Sequence, residues 1–148
     1  MSTKTPDKVE NVISIFDICE TDTTAEEEGR WFRDIFADGS NVDVKLRRLT
    51  SQTSMNARRQ LEKGYRAARK NGEYPQEIKI KILIEQIAAA VLIDWSGIFD
   101  RSKVEMPYSK ETALALLTRL PAFRDTIVAM ASNLDNFRIE DKEAAAKN

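Results

Sequence analysis

Histidine is missing from this 148-residue chain, cysteine occurs once, and the five glycines and four prolines are scattered. Without histidine the commonest general base and a frequent metal ligand are gone. A single thiol, Cys19, makes neither an intrachain disulfide nor a thiolate metal cluster. The glycines, at 29, 39, 64, 72 and 97, never gather into a phosphate-cradling loop. The longest wholly apolar run, Ile87 to Ile93, is seven residues between Gln86 and Asp94, where a membrane span needs about 20. An excess of one charge is lacking too: 23 basic residues face 24 acidic ones, so no global pull toward nucleic acid or anionic lipid follows. The opening stretch MSTKTPDKVENV has no apolar signal core, and an intracellular, reducing location is the expectation. Together these absences predict a protein that is not an enzyme and uses no cofactor or metal. Asp94 and Asp100 leave carboxylate chemistry formally open, but a cap and a turn residue is the plainer reading of two acids near a loop.

What is present is enough for one modest core. Residues 1–11 and 139–148 are polar and expected to be loose, leaving a single domain over 12–138. Val12 to Ile18 alternates and is open to a strand reading; the acidic Glu26 to Glu28 follows. Residues 30–47 read as a β-hairpin. Trp31 to Phe36 is aromatic-rich, Asp38-Gly39-Ser40-Asn41 supplies turn residues, and Val42, Val44 and Leu46 alternate with Asp43, Lys45 and Arg47. A lone hairpin is marginal in water, so this one has to lie on something.

Beyond Arg48 the period becomes helical. A helix over about 52–71 places Ala57, Leu61, Tyr65 and Ala68 on one face and Arg59, Lys63, Arg66 and Lys70 on another, and Asn71-Gly72 stops it. A second helix, about 75–95, starts at Pro75, keeps a polar ridge of Glu77, Lys81 and Glu85, and is otherwise apolar; it reads as the central buried helix. Alternation of Ile78, Ile80 and Ile82 also suits a strand, but length and the triplet Ala88-Ala89-Ala90 favour helix. That triplet permits close approach, internally or at a self-association seam. Helices over 109–119, capped by Ser109, and 121–137, begun by Pro121, complete a mainly α fold of about four helices with a small N-terminal β-hairpin. Cys19, Trp31, Trp95 and the phenylalanines read as core residues.

The stretch DWSGIFDRSKVEMPYSKE, Asp94 to Glu111, joins the last two helical regions to the rest. An apolar segment ending in Trp95, then Gly97, a charged turn with Asp100, then Pro107, Tyr108 and the cap Ser109 resembles the tail assembly chaperones of long-tailed bacteriophages. The upstream GRWF hairpin with its basic helix and the later LPAFRDTIVAMASNLDNF are also similar, so that the resemblance runs from Gly29 to Phe137 and is best from Leu83 onward. Relatives often have glycine where this chain has Lys103.

The resemblance implies a non-enzymatic assembly factor of a phage or prophage, working in the host bacterial cytoplasm. It would bind the tape measure protein, keep it soluble and help recruit major tail protein, without entering the mature virion. It also implies a frameshifted longer form in many relatives. The surface expected to hold the client is the stripe Leu116, Leu120, Phe123, Ile127 and Met130, with Arg59, Lys63, Arg66 and Lys70 meeting acidic partner residues. The connector residues Trp95, Gly97, Asp100, Pro107, Tyr108 and Ser109 are expected to be structural. The other reading is a small basic-helix nucleic-acid-binding or regulatory protein, carried by the same Arg/Lys stripe.

Overall fold

The structure, a computed structural model, describes residues 6–140. Its elements in chain order are α1 (Ile15–Cys19), α2 (Thr23–Glu28), β1 (Arg30–Phe32), β2 (Asp43–Leu46), α3 (Gln52–Gly64), α4 (Gln76–Gln86), β3 (Leu92–Ser96), α5 (Lys110–Arg119) and α6 (Pro121–Ser132). The three strands form one antiparallel sheet in the order β1-β2-β3. The fold is therefore mixed α/β, and the expectation of a mainly α protein with a small hairpin is overturned.

The expected hairpin is present, with Trp31 opposite Lys45 and Phe32 opposite Val44. It does not stand alone. The expected helix over 75–95 ends at Gln86, opens into a wider π turn over Ile87–Val91, and becomes β3, which pairs Val44 with Trp95 and Lys45 with Asp94. A continuous apolar run has no period of its own, so its conformation is set by what it packs against. Here β2 offers an unpaired backbone edge, and Leu92–Ser96 satisfies it. The turn leaves carbonyls outside a regular ladder, and Arg47 takes two of them: its main-chain N–H donates to Val91 O at 2.9 Å and its guanidinium to Ala90 O at 3.0 Å.

Val44 and Leu46 of β2, Ile87 and Val91 of the π turn, Leu92 of β3, Leu117 of α5 and Ile127 of α6 are all fully buried, so one core lies between the sheet and the helices. Ala88 and Ala90 are inside it and Ala89 is exposed, so two of the three alanines serve internal packing. Helix α3 contributes mainly a polar clasp: Gln86 donates from Nε2 to Ser54 Oγ at 2.8 Å, and both residues are buried. Glu27 seals the start of α3, its carboxylate accepting from the N–H groups of Gln52 and Thr53 and from the Thr53 hydroxyl.

Other expectations shift locally. Val12 to Ile18 is not a strand; Ser14 accepts from the Phe16 N–H and starts the short α1, which buries nothing. Cys19, expected in the core, is exposed. Helix α3 ends at Gly64, and a 3-10 turn follows at Arg66–Ala68 before Asn71 and Gly72 reverse the chain at positive φ. Helix α6 gives way at Asn133 to a 3-10 turn, Leu134–Phe137. Phe123, Phe137 and Trp95 are core residues as expected, whereas Phe16, Phe36 and Phe99 are exposed. The expected loose tail falls mostly outside the described residues.

Candidate partner-docking groove

Strand β3 leads straight into the connector, which is a miniature hairpin. Met106 N–H donates to Ile98 O at 2.8 Å and Asp100 N–H to Val104 O at 2.8 Å, with Phe99 bridged to Glu105. Asp100 closes the tip, its Oδ1 accepting from the N–H groups of Ser102 at 2.8 Å and Val104 at 3.0 Å. Lys103 stands at φ 66, a left-handed conformation that glycine adopts more cheaply. Gly97, at φ 77, lies so close to the β1–β2 loop that a Cβ there would come within 2.3 Å of Asn41 O. The glycine is thus needed twice over, for its backbone angle and for the approach.

The base of this hairpin is locked by two aromatics. Trp95 sits in β3 rather than at a helix end and donates its indole N–H to Met106 O at 2.7 Å. Tyr108 donates its hydroxyl to Leu92 O at 2.7 Å, and the two rings meet edge to face with centroids 5.1 Å apart. Burial raises the Tyr108 pKa above its ordinary value, helped by the charge of Asp94 and opposed by Arg47, so the phenol stays a donor. Pro107 carries the chain past without an N–H to satisfy, and Ser109 caps α5 by accepting from Thr112 N–H at 3.0 Å. The six connector residues act together as a frame. Asp94 and Asp100 both spend a carboxylate oxygen on main-chain N–H groups, Trp95 N–H in the case of Asp94.

Against this frame lies an apolar groove of about 200 Å³, walled by Phe36 and Val42 from the β1–β2 hairpin tip, Ile98 and Phe99 from the connector, and Leu116, Leu120 and Phe123 from the α5–α6 junction. It runs on into a broader trough of about 570 Å³ flanked by Met106, Arg101 and Arg119. Phe99 is 56% exposed and Leu120 49%. An apolar surface held open by hydrogen-bonded walls is what a docking site requires.

The structure brings Leu116, Leu120 and Phe123 of the expected stripe into this groove. It does not bring Ile127, which is fully buried, or Met130, which packs against the core. Phe36, Val42 and Phe99 complete the site and escaped sequence reasoning. The signal for Phe99 was there to use: an aromatic inside an otherwise charged turn has no local reason to be apolar.

The basic stripe lies elsewhere and shares no residue with the groove. Arg59, Lys63 and Arg66 line a basin of about 280 Å³ with Arg69, Tyr74 and the acid Glu62, the Arg69 guanidinium standing 5.5 Å from the Tyr74 ring centre. Lys70 belongs instead to the chain reversal, bridged to Glu73. Tyr65 ties the end of α3 to α4 through its hydroxyl, 2.8 Å from Glu85 Oε1; that hydrogen bond, then burial and the Glu85 charge, raise its pKa. The acids Glu26 and Glu27 are engaged within the chain, Glu26 with Arg48 at 3.1 Å.

Among the described residues no group of three or more His, Cys, Asp or Glu side chains comes together to hold a metal ion. No helix of the described chain is long and apolar enough to cross a membrane. No curated protein and no solved structure matches the chain. The model of one family, described as YdaY prophage protein, matches residues 37–148. That span covers well over half of the sequence, including the groove's helices, the connector and the basic helix, and the chain belongs to the YdaY prophage protein family.

Proposed function

We propose that this prophage protein is a tail assembly chaperone that holds the tape measure protein. The observation carrying the reading is the groove: Phe36, Phe99 and Leu120 are exposed around a floor of Leu116 and Phe123. An amphipathic client helix would lay an apolar stripe there, in the helix-in-groove mode. Covering the exposed part of each such side chain is worth about 1 kcal/mol, and association costs several. The grip is accordingly weak and releasable, which suits a factor that leaves before the particle is complete. On this reading the protein works in the host bacterial cytoplasm, helps bring major tail protein to the growing tube, and needs neither cofactor nor catalytic group.

Co-expression of the cognate tape measure protein with Leu120→Asp and with Phe99→Asp tests the reading. Both substituted positions are exposed, so the chaperone should fold, and the client should precipitate. A client that stays soluble and bound with both folded variants removes the groove from the account.

The basin of Arg59, Lys63 and Arg66 favours a second reading, nucleic-acid binding. It requires affinity that falls steeply from low to moderate salt and is lost in Arg59→Glu, Arg66→Glu. Client binding through the groove would survive that double substitution.

A further inference from the structure

A second unpartnered apolar surface sits far from the groove. Between Val9 and Ile18 six large apolar side chains are exposed, with Ile13 at 74% and Phe16 at 69%, and α1 buries none of its residues. Soluble chains rarely leave so dense an apolar stretch uncovered. The stretch is also displayed rather than free. Arg138 donates from its two terminal nitrogens to the carbonyls of Asp17 and Ile18, each at 2.8 Å, and Asp22 N–H donates to Phe137 O at 2.7 Å. The backbone is held by polar contacts while the apolar side chains face outward.

Charge says what this stretch fits. Asp7, Glu10, Asp17 and Glu20 accompany it against the single Lys8, while Asp22 is held by Arg30 and by the Ala25 N–H that it caps. The groove has the opposite rim: Arg101 and Arg119 flank the trough, and neither is ion-paired among the described residues. Of the two acids of the connector there, Asp100 is occupied by the N–H groups of its own turn, whereas Glu105 is tied to Phe99 through its backbone only.

The stretch and the groove of one chain lie at opposite ends of the β1–β2 hairpin. Arg30, at the open end, donates to the carbonyls of Asn136 and Arg138, beside the anchor of α1. Phe36 and Val42, at the tip, line the groove. With Asp17 and Ile18 pinned at the open end, Phe16 and Ile18 do not reach their own groove.

We infer that the apolar, acid-flanked segment Val9–Ile18 of one copy docks in the groove of a second copy, its apolar side chains covering Phe99 and Leu120 and its acids meeting Arg101 and Arg119. The contact is head to tail, so it builds larger assemblies unless it closes into a ring. It rests on the groove being a docking surface, as in the proposed function, but not on the identity of the client. Copies waiting for a client would thus shield each other's apolar surface.

Sedimentation velocity on the full chain tests this without any client. Association that grows with concentration is expected, and Phe16→Asp and Leu120→Asp should each weaken it at least tenfold with an unchanged far-UV circular dichroism spectrum. The lone exposed thiol gives a second readout. Native chain mixed with a Cys19→Ser, Ser102→Cys chain should form a mixed disulfide on oxidation, whereas a Cys19→Ser, Gln60→Cys chain, with its thiol on exposed α3, should not. A chain that stays monomeric at all concentrations, association indifferent to both substitutions, or a mixed disulfide at position 60 and not at 102 would each overturn the inference. So would a monomer with an internal disulfide when Cys19 and Ser102→Cys are in one chain. A monomer that still solubilises tape measure protein overturns this inference alone, while an assembly through the groove that ignores tape measure protein overturns only the client reading.

Discussion

Leu117 and Leu120 stand three residues apart at the end of α5, with Phe123 and Ile127 following on α6. Leu117 and Ile127 are sealed between the helices and the sheet, whereas Leu120 is half exposed beside Phe99 and Phe36. The inner and outer surfaces of the α5–α6 pair are built from the same residue types. They differ in what stands opposite: on the inside Val44, Leu46 and Leu92 close the contact, and on the outside the connector hairpin and the β1–β2 tip hold their walls apart. Apolar character therefore does not distinguish a core residue from a docking residue in this chain. Position relative to the third strand does.

The most forceful way to break this comparison is to charge each surface in turn. Ile127→Asp should cost at least about 4 kcal/mol, because a carboxylate enters a sealed core without a partner. Leu120→Asp, chemically as drastic, should change stability by less than about 1 kcal/mol and remove docking. Urea denaturation followed by circular dichroism reads both, and similar losses for the two would erase the distinction between inside and outside.

Gly97→Ala comes next, at about 2–3 kcal/mol, from a positive φ and a Cβ forced onto Asn41 O. It should also loosen the groove, seen as faster amide exchange at Asp100, Val104 and Met106, whose N–H groups close the connector hairpin. Unchanged exchange there would mean that the connector does not hold the groove wall.

Glu27→Gln touches neither surface and should cost about 1 kcal/mol at neutral pH, as for a lost helix cap, with solvent screening limiting it. Burial works against the Glu27 charge, but the N–H groups of Gln52 and Thr53, the Thr53 hydroxyl and Arg47 outweigh it and lower its pKa from the ordinary 4.5. A lowered folded pKa stabilises above the unfolded value and is lost as pH falls through the folded one. The gap between native and variant should accordingly be full at pH 7 and close as the pH falls below the ordinary 4.5 and through the lowered folded value, in paired urea titrations.

The smallest effect has the opposite sign. Lys103→Gly should stabilise by about 0.5–1 kcal/mol by relieving the left-handed residue. Glycine occupies such a left-handed position without the Cβ penalty that lysine carries. A destabilised variant would show that the Lys103 side chain, not its backbone, matters to the connector.

Much of the candidate site was legible before the fold was known. The order Trp95, Gly97, Asp100, Pro107, Tyr108, Ser109 marks the connector, and spacing by four and three puts Leu116, Leu120 and Phe123 on one apolar stripe. Phe36 and Val42 were not, because their place in the groove depends on a hairpin tip folding over a connector more than fifty residues later. Ile127 and Leu120 looked alike because helical period says which residues share a face and nothing about whether that face is covered. Likewise the run from Ile87 to Ile93 carried no period to read. Only the free edge of β2 turned its second half into a strand.

The chain by itself determined the helices with start signals and periods of their own, α3 and α5 with their serine caps and α6 with its first-turn proline, the turn at Asp38 to Asn41, and the absence of histidine chemistry. These follow from interactions within a few residues. Tertiary structure decided the conversion of Leu92–Ser96 into the third strand and the division of one apolar stripe into core and groove, with α1 left unpacked. Backbone pairing and burial between distant segments settle those, and no local pattern encodes which distant segment will arrive.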